Sequence, residues 1–120
     1  MLLNHFQVEF YKKENGNCPI LEFLDSLDQK KKAKVLRTID ILERNGNELR
    51  EPYSKLLVDG IFELRIRQGT DIVRVLYFFY IGKRIILTHG FTKKTQKTPQ
   101  NEIERALEYK NDYHRRNKYE

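Results

Sequence analysis

A chain of 120 residues, 39% hydrophobic and 33% charged, is long enough to bury a core without covalent staples, and one domain over residues 1–120 is the expectation. Its 23 Lys+Arg against 17 Asp+Glu leave a net charge of +6, which favours polyanionic partners without requiring them. The lone cysteine, Cys18, excludes an internal disulfide framework and suits a reducing cytoplasm.

The N-terminal stretch carries His5, Gln7 and Glu9, so it reads as neither signal peptide nor anchor. No apolar run approaches the ~20 residues of a bilayer span, so no membrane partner and a cytoplasmic location are expected. Phe6, Val8 and Phe10 alternate with Gln7, Glu9 and Tyr11, which predicts a first strand. After the turn Glu14-Asn15-Gly16-Asn17, Pro19 suits a first helical position, and Ile20, Phe23, Leu24 and Leu27 follow at helical spacing. Asp28 is placed to end this helix and cap the next, whose stripe is Val35, Leu36, Ile39 and Leu42. Gly46 stops it. The two helices read as an antiparallel hairpin packed on a sheet.

A polar connection closed by Pro52 leads to a short extended segment from Tyr53 to Val58, and Asp59-Gly60 is a hairpin signal. In the next strand Phe62, Leu64 and Ile66 point one way while Glu63, Arg65 and Arg67 point the other, as a strand with one buried face requires. Turns at Gly69-Thr70-Asp71 and Ile81-Gly82-Lys83 separate two nearly all-apolar strands. On the second of these, Ile85, Leu87, His89 and Phe91 would share a face. Thr98 is the expected cap of a last helix with Pro99 at its first position and Ile103, Ala106, Leu107 and Lys110 on one face; the tail from Asp112 to Glu120 is expected to fray. The fold class is therefore α+β, an antiparallel meander backed by helices.

A cation on a central strand is costly unless paired or functional. Arg65, Arg67 and Arg74 on one sheet, with Lys93-Lys94 at its end, have the look of a surface made to hold phosphate. Each has a plainer reading. Arg65 could instead pair with Glu9 or Glu63, Arg74 could belong to the same network, Arg67 could be solvated, and the lysines could form a basic turn. His89 could titrate near neutrality or sit in the core. Tyr53 and Lys55 begin the meander and could reach the same groove, Tyr53 by stacking on a base. The run Lys30-Lys31-Lys32-Lys34 reads as a solvated helix face or an rRNA contact. His5, His89 and His114 lie far apart in the chain, so no metal-ligand spacing is visible, and neither a Gly-rich phosphate loop nor a carboxylate pair stands out. No metal or other cofactor is expected.

The element order, with Lys55-Leu56, Glu63-Leu64-Arg65, Arg74 and the tract from His89 to Pro99, resembles the HigB-like, phage-derived branch of the RelE/ParE toxin superfamily over nearly the whole chain. The resemblance implies a ribosome-dependent mRNA endonuclease. It also implies a cognate helix-turn-helix antitoxin, HigA-like, that holds the toxin inactive in a hetero-oligomer. Metal-free RNA cleavage needs a base for the 2′-hydroxyl proton, cations for the phosphorane and an acid for the leaving 5′-oxygen. In that frame Arg65 and Arg74 would stabilise the phosphorane, Lys93, Lys94 or His89 would move protons, and Tyr53, Lys55 and Arg67 would hold RNA. The competing class is a non-catalytic basic module that binds nucleic acid or a protein.

Overall fold

The structure, a computed structural model, describes residues 5–94 and 96–118. Residues 1–4 of the expected leader-free start, Thr95 of the basic tract and residues 119–120 of the expected tail lie outside the described residues. In chain order the elements are β1 (Gln7–Phe10), α1 (Pro19–Ser26), α2 (Gln29–Asn45), β2 (Ser54–Val58), β3 (Ile61–Gln68), β4 (Asp71–Tyr80), β5 (Arg84–Lys93) and α3 (Gln100–Arg116). They form an α+β fold.

The local signals act as expected in several places. Asp28 caps α2 by accepting from the Lys31 amide at 2.9 Å. Asp59 and Gly60 both take positive φ (51° and 80°), the pairing a tight hairpin needs, and they join β2 to β3.

The sheet order is β1-β5-β4-β3-β2, and β2 to β5 form the antiparallel meander. β1, whose place in the sheet the sequence left open, runs parallel to β5 with Val8 opposite Ile85, so the sheet is mixed. In the chain α1, α2 and β2 to β4 lie between these two strands, so the first strand enters at the sheet edge beside the last. Its exposed edge is partly answered by Glu43 of α2, whose carboxylate accepts from the Val8 amide at 2.7 Å.

Helices cover both faces. On one face Ile20 and Leu24 of α1 and Val35, Ile39 and Leu42 of α2 pack on Leu64, Ile66, Val73, Val75, Tyr77, Ile85 and Leu87. On the other, Ala106, Tyr109 and Tyr113 of α3 pack on Ile61, Leu76, Phe78, Ile86 and Phe91. β3 therefore has two covered faces over part of its length, and Glu63 is fully buried rather than solvated. In α2 Thr38 joins the buried stripe while Leu36 stays 43% exposed. The buried face of α3 is Glu102, Ala106, Tyr109 and Tyr113, rotated from the expected one so that the two tyrosine rings pack on the sheet.

Three further expectations give way. Pro99, not Thr98, precedes the first turn of α3, since the Thr98 hydroxyl is committed to Glu63. The tail does not fray at Asp112: α3 continues to Arg116, and Asp112 accepts from Tyr11 at 2.6 Å and Arg115 at 2.5 Å. A β-bulge also breaks the alternation of β5, whose register slips between Leu76↔His89 and Tyr77↔Leu87. Ile85 and Leu87 face α1 and α2, whereas His89 and Phe91 face α3.

Candidate nucleic-acid interface

Pairing across β3, β4 and β5 lays out three rows on the α3 side of the sheet: Glu63–Leu76–His89, Arg65–Arg74–Phe91 and Arg67–Ile72–Lys93. α3 begins at Gln100, and the segment Gln96–Thr98 leading into it meets the first two rows. Alternation alone puts these cations on one face, since residues two apart in a strand share a side.

Glu63 is the hub of the arrangement. Its Oε1 accepts from Arg65 Nε at 2.6 Å, its Oε2 lies 3.7 Å from Arg74 Nε, and the same Oε2 accepts from the Thr98 hydroxyl. A buried carboxylate is tolerable only with such donors around it. Arg65 Nη2 also donates to the Gln96 carbonyl at 2.5 Å, and Arg74 Nη1 to the Lys97 carbonyl at 3.2 Å. Burial lowers the Arg74 pKa from its ordinary value, Glu63 opposes that shift, and Arg65 and Arg67 add to it.

Arg65 is the cation that reaches the surface from this network, at 17% side-chain exposure, whereas Arg74 is at 0%. Two grooves meet at Arg65. One, of about 410 Å³, is lined by Lys55, Leu56, Leu57, Gln96, Lys97 and Thr98 among others. The second, of about 250 Å³, is lined by Lys34, Thr38, Pro52, Tyr53, Ile66 and Arg67. Tyr53, on the lining of this second groove, is 51% exposed. Lys34 crosses from α2 to donate to the Arg67 carbonyl at 2.5 Å.

Thus four of the residues singled out from sequence line the two grooves that Arg65 joins, Lys55 with Arg65 in the first and Tyr53 and Arg67 with Arg65 in the second. Lys93 ends β5 exposed, on the same row as Arg67 and two strands away, roughly 10 Å by strand spacing; Lys94 follows it, also exposed. Arg74 lies beneath the groove rather than in it. His89 is set apart. It is 2% exposed, with Nε2 3.1 Å from Glu102 Oε1 and Nδ1 3.1 Å from the Thr88 hydroxyl. Burial lowers its pKa to about 4 against the opposing pull of Glu102. Burial thus favours the neutral ring, which does not face the groove.

The plainer sequence reading, Arg65 paired with Glu63 and Arg74 in the same network, is what the structure shows. Sequence reasoning missed the burial of Glu63, Thr98 as its donor, and Lys34 and Lys97 as groove residues. Among the described residues no group of three or more His, Cys, Asp or Glu side chains is placed to hold a metal ion. No helix among them is long and apolar enough to cross a membrane.

The family model of phage-derived, Gp49-like proteins matches residues 22–111. No curated protein sequence matches the chain. Among solved structures, a chain of the toxin–antitoxin complex RelBE2 from Mycobacterium tuberculosis superposes with a TM-score of 0.54 at 19% identity, covering 74% of this chain and 99% of that one. At that identity the likeness is one of fold.

Proposed function

The chain belongs to the Gp49-like family of phage-derived proteins, and from that membership and its fold we propose that it is the toxin of a toxin–antitoxin pair that cleaves mRNA on the ribosome. The observation that carries the proposal is the groove centred on Arg65, where Lys55, Tyr53, Arg67, Lys34 and Lys97 converge on a partly exposed guanidinium held in place by Glu63. A guanidinium whose direction is fixed before the substrate arrives is suited to an oxyanion that develops late in the reaction.

In this reading the 2′-oxygen of the RNA attacks the adjacent phosphorus, the 5′-oxygen departs, and a 2′,3′-cyclic phosphate results. Arg65 stabilises the phosphorane, Lys55 and Arg67 hold backbone phosphates, and Tyr53 stacks on a base. Lys93 and Lys94 are the proton carriers, because His89 is enclosed by α3. No complete acid–base set lies beside Arg65, so free RNA should react slowly and the ribosome would supply the positioning. The partners are the ribosome with its mRNA and an antitoxin encoded nearby.

The burial of Arg74 and His89 favours one other reading, a module that binds RNA through the groove without cutting it. Primer extension on cellular mRNA after induction, with and without translation, separates the two. New 5′ ends that vanish when translation is blocked support the ribosome-dependent toxin. Growth arrest without new ends would leave the binding module. No arrest, with an intact folded protein, would remove the toxin reading.

A further inference from the structure

Three successive residues ahead of α3 are fastened to three side chains of the sheet. The Gln96 carbonyl accepts from Arg65, the Lys97 carbonyl accepts from Arg74, and the Thr98 hydroxyl donates to Glu63. The two carbonyl oxygens stand where a guanidinium pair would otherwise present its N–H groups to an anion. Main-chain carbonyls are neutral acceptors, and a phosphate diester offers two anionic oxygens in the same role. Charge-assisted hydrogen bonds of that kind are roughly twice as strong as neutral ones. Gln96 and Lys97 are themselves exposed, so the segment has solvent on its outer side.

We propose that Gln96–Thr98 occupies the phosphate position of the Arg65–Arg74 pair, and that RNA binds by exchanging its nonbridging oxygens for the Gln96 and Lys97 carbonyls. The inference rests on the reading that the groove takes RNA, and it explains how a cation as deeply buried as Arg74 could meet a substrate. Displacing the segment uncovers Arg74, while Glu63 stays behind to keep both guanidiniums aimed. The contact is autoinhibitory: part of the binding energy of RNA is spent in detaching the segment, and whatever detaches it first tightens RNA binding.

The Thr98 side chain is the removable fastening, since the carbonyls belong to the main chain. Thr98→Val keeps shape and removes the donor to Glu63. A short single-stranded RNA is titrated into the wild type, Thr98→Val and Arg65→Lys, and the carbonyl carbon chemical shifts of Gln96 and Lys97, which report the hydrogen bonds those carbonyls accept, are followed by NMR in the free and bound states. The expected result is roughly tenfold tighter RNA binding by Thr98→Val. In bound wild type both carbonyl signals should move upfield, as loss of an accepted hydrogen bond requires, a readout that needs no variant. If RNA binds the wild type, weakens with Arg65→Lys, and leaves both carbonyl shifts unchanged, the displacement is wrong while the groove stands. Equal affinities for wild type and a folded Thr98→Val overturn it too. If no protein binds RNA, the displacement falls together with the groove.

Discussion

His89 Nε2 stands 3.1 Å from Glu102 Oε1 in the interface between β5 and α3. The contact exists because the bulge in β5 turns His89 toward α3, and the buried stripe of α3 brings Glu102 to meet it. It ties the last helix to the centre of the sheet by a polar contact inside an apolar seam formed with Phe91 and Tyr109.

The first prediction follows from that pair. Burial lowers the His89 pKa from 6.5 to about 4, while Glu102 pulls it upward and Arg105 downward. Between those values the unfolded chain binds a proton that the folded protein refuses, so stability is whole above pH 6.5 and is lost as pH falls toward 4. Chemical denaturation at pH 7, 5.5 and 4.5 measures it, and His89→Gln should flatten the dependence. Asp112, lowered from 3.8 to about 2 chiefly by its hydrogen bond to Arg116, adds a separate loss only below pH 3.8. A wild-type stability that does not change between pH 7 and 4.5 would contradict the neutral imidazole.

Arg65 and Arg74 should part company under mutation. Arg74→Ala strips a partner from buried Glu63 and should destabilise the fold by about 3–5 kcal/mol. Arg65→Lys keeps a charge beside Glu63 but loses the guanidinium's planar fork, so the melting temperature should move little while cleavage falls on the order of 10²–10³-fold. Melting curves and toxicity on induction check the pair. Full toxicity of a folded Arg65→Lys would discard the role given to Arg65.

Gly90 sits where a side chain would collide. A Cβ there would press into the Phe23 ring and approach the Arg74 carbonyl oxygen to 3.1 Å. Gly90→Ala should therefore cost about 1–3 kcal/mol through overpacking between α1 and the sheet. Combining it with Phe23→Leu should recover part of that loss. An unchanged melting temperature for Gly90→Ala would mean that α1 packs less tightly than described.

Salt tests the groove without reference to catalysis. Each phosphate neutralised on single-stranded RNA contributes about −0.7 to the slope of log affinity against log salt. Lys55 and Arg67 line separate arms of the groove around Arg65. Replacing both with Ala should make the slope shallower by roughly 1.4 if each meets one phosphate. Ribosome or RNA binding from low to moderate salt is the measurement, and an identical slope in the double variant removes the backbone assignment.

Much of this architecture follows from neighbours in the chain. Turn chemistry at Asp59-Gly60, the Asp28 cap and the strict alternation of β3 act within a few residues, so the element order and the α+β class are legible in the sequence alone. The same alternation places Arg65 and Arg67 on one side of the sheet, and the short step to Tyr53 and Lys55 brings them to a shared groove. Tertiary structure decided the rest. The parallel seat of β1, the bulge that sends His89 to α3, and the capture of Thr98 by Glu63 across 35 residues depend on how the sheet closes under its helices. Whether an arginine faces a ligand or a buried carboxylate is set by what packs over it. The segment ahead of α3 settles that for Arg74 and leaves Arg65 at the surface.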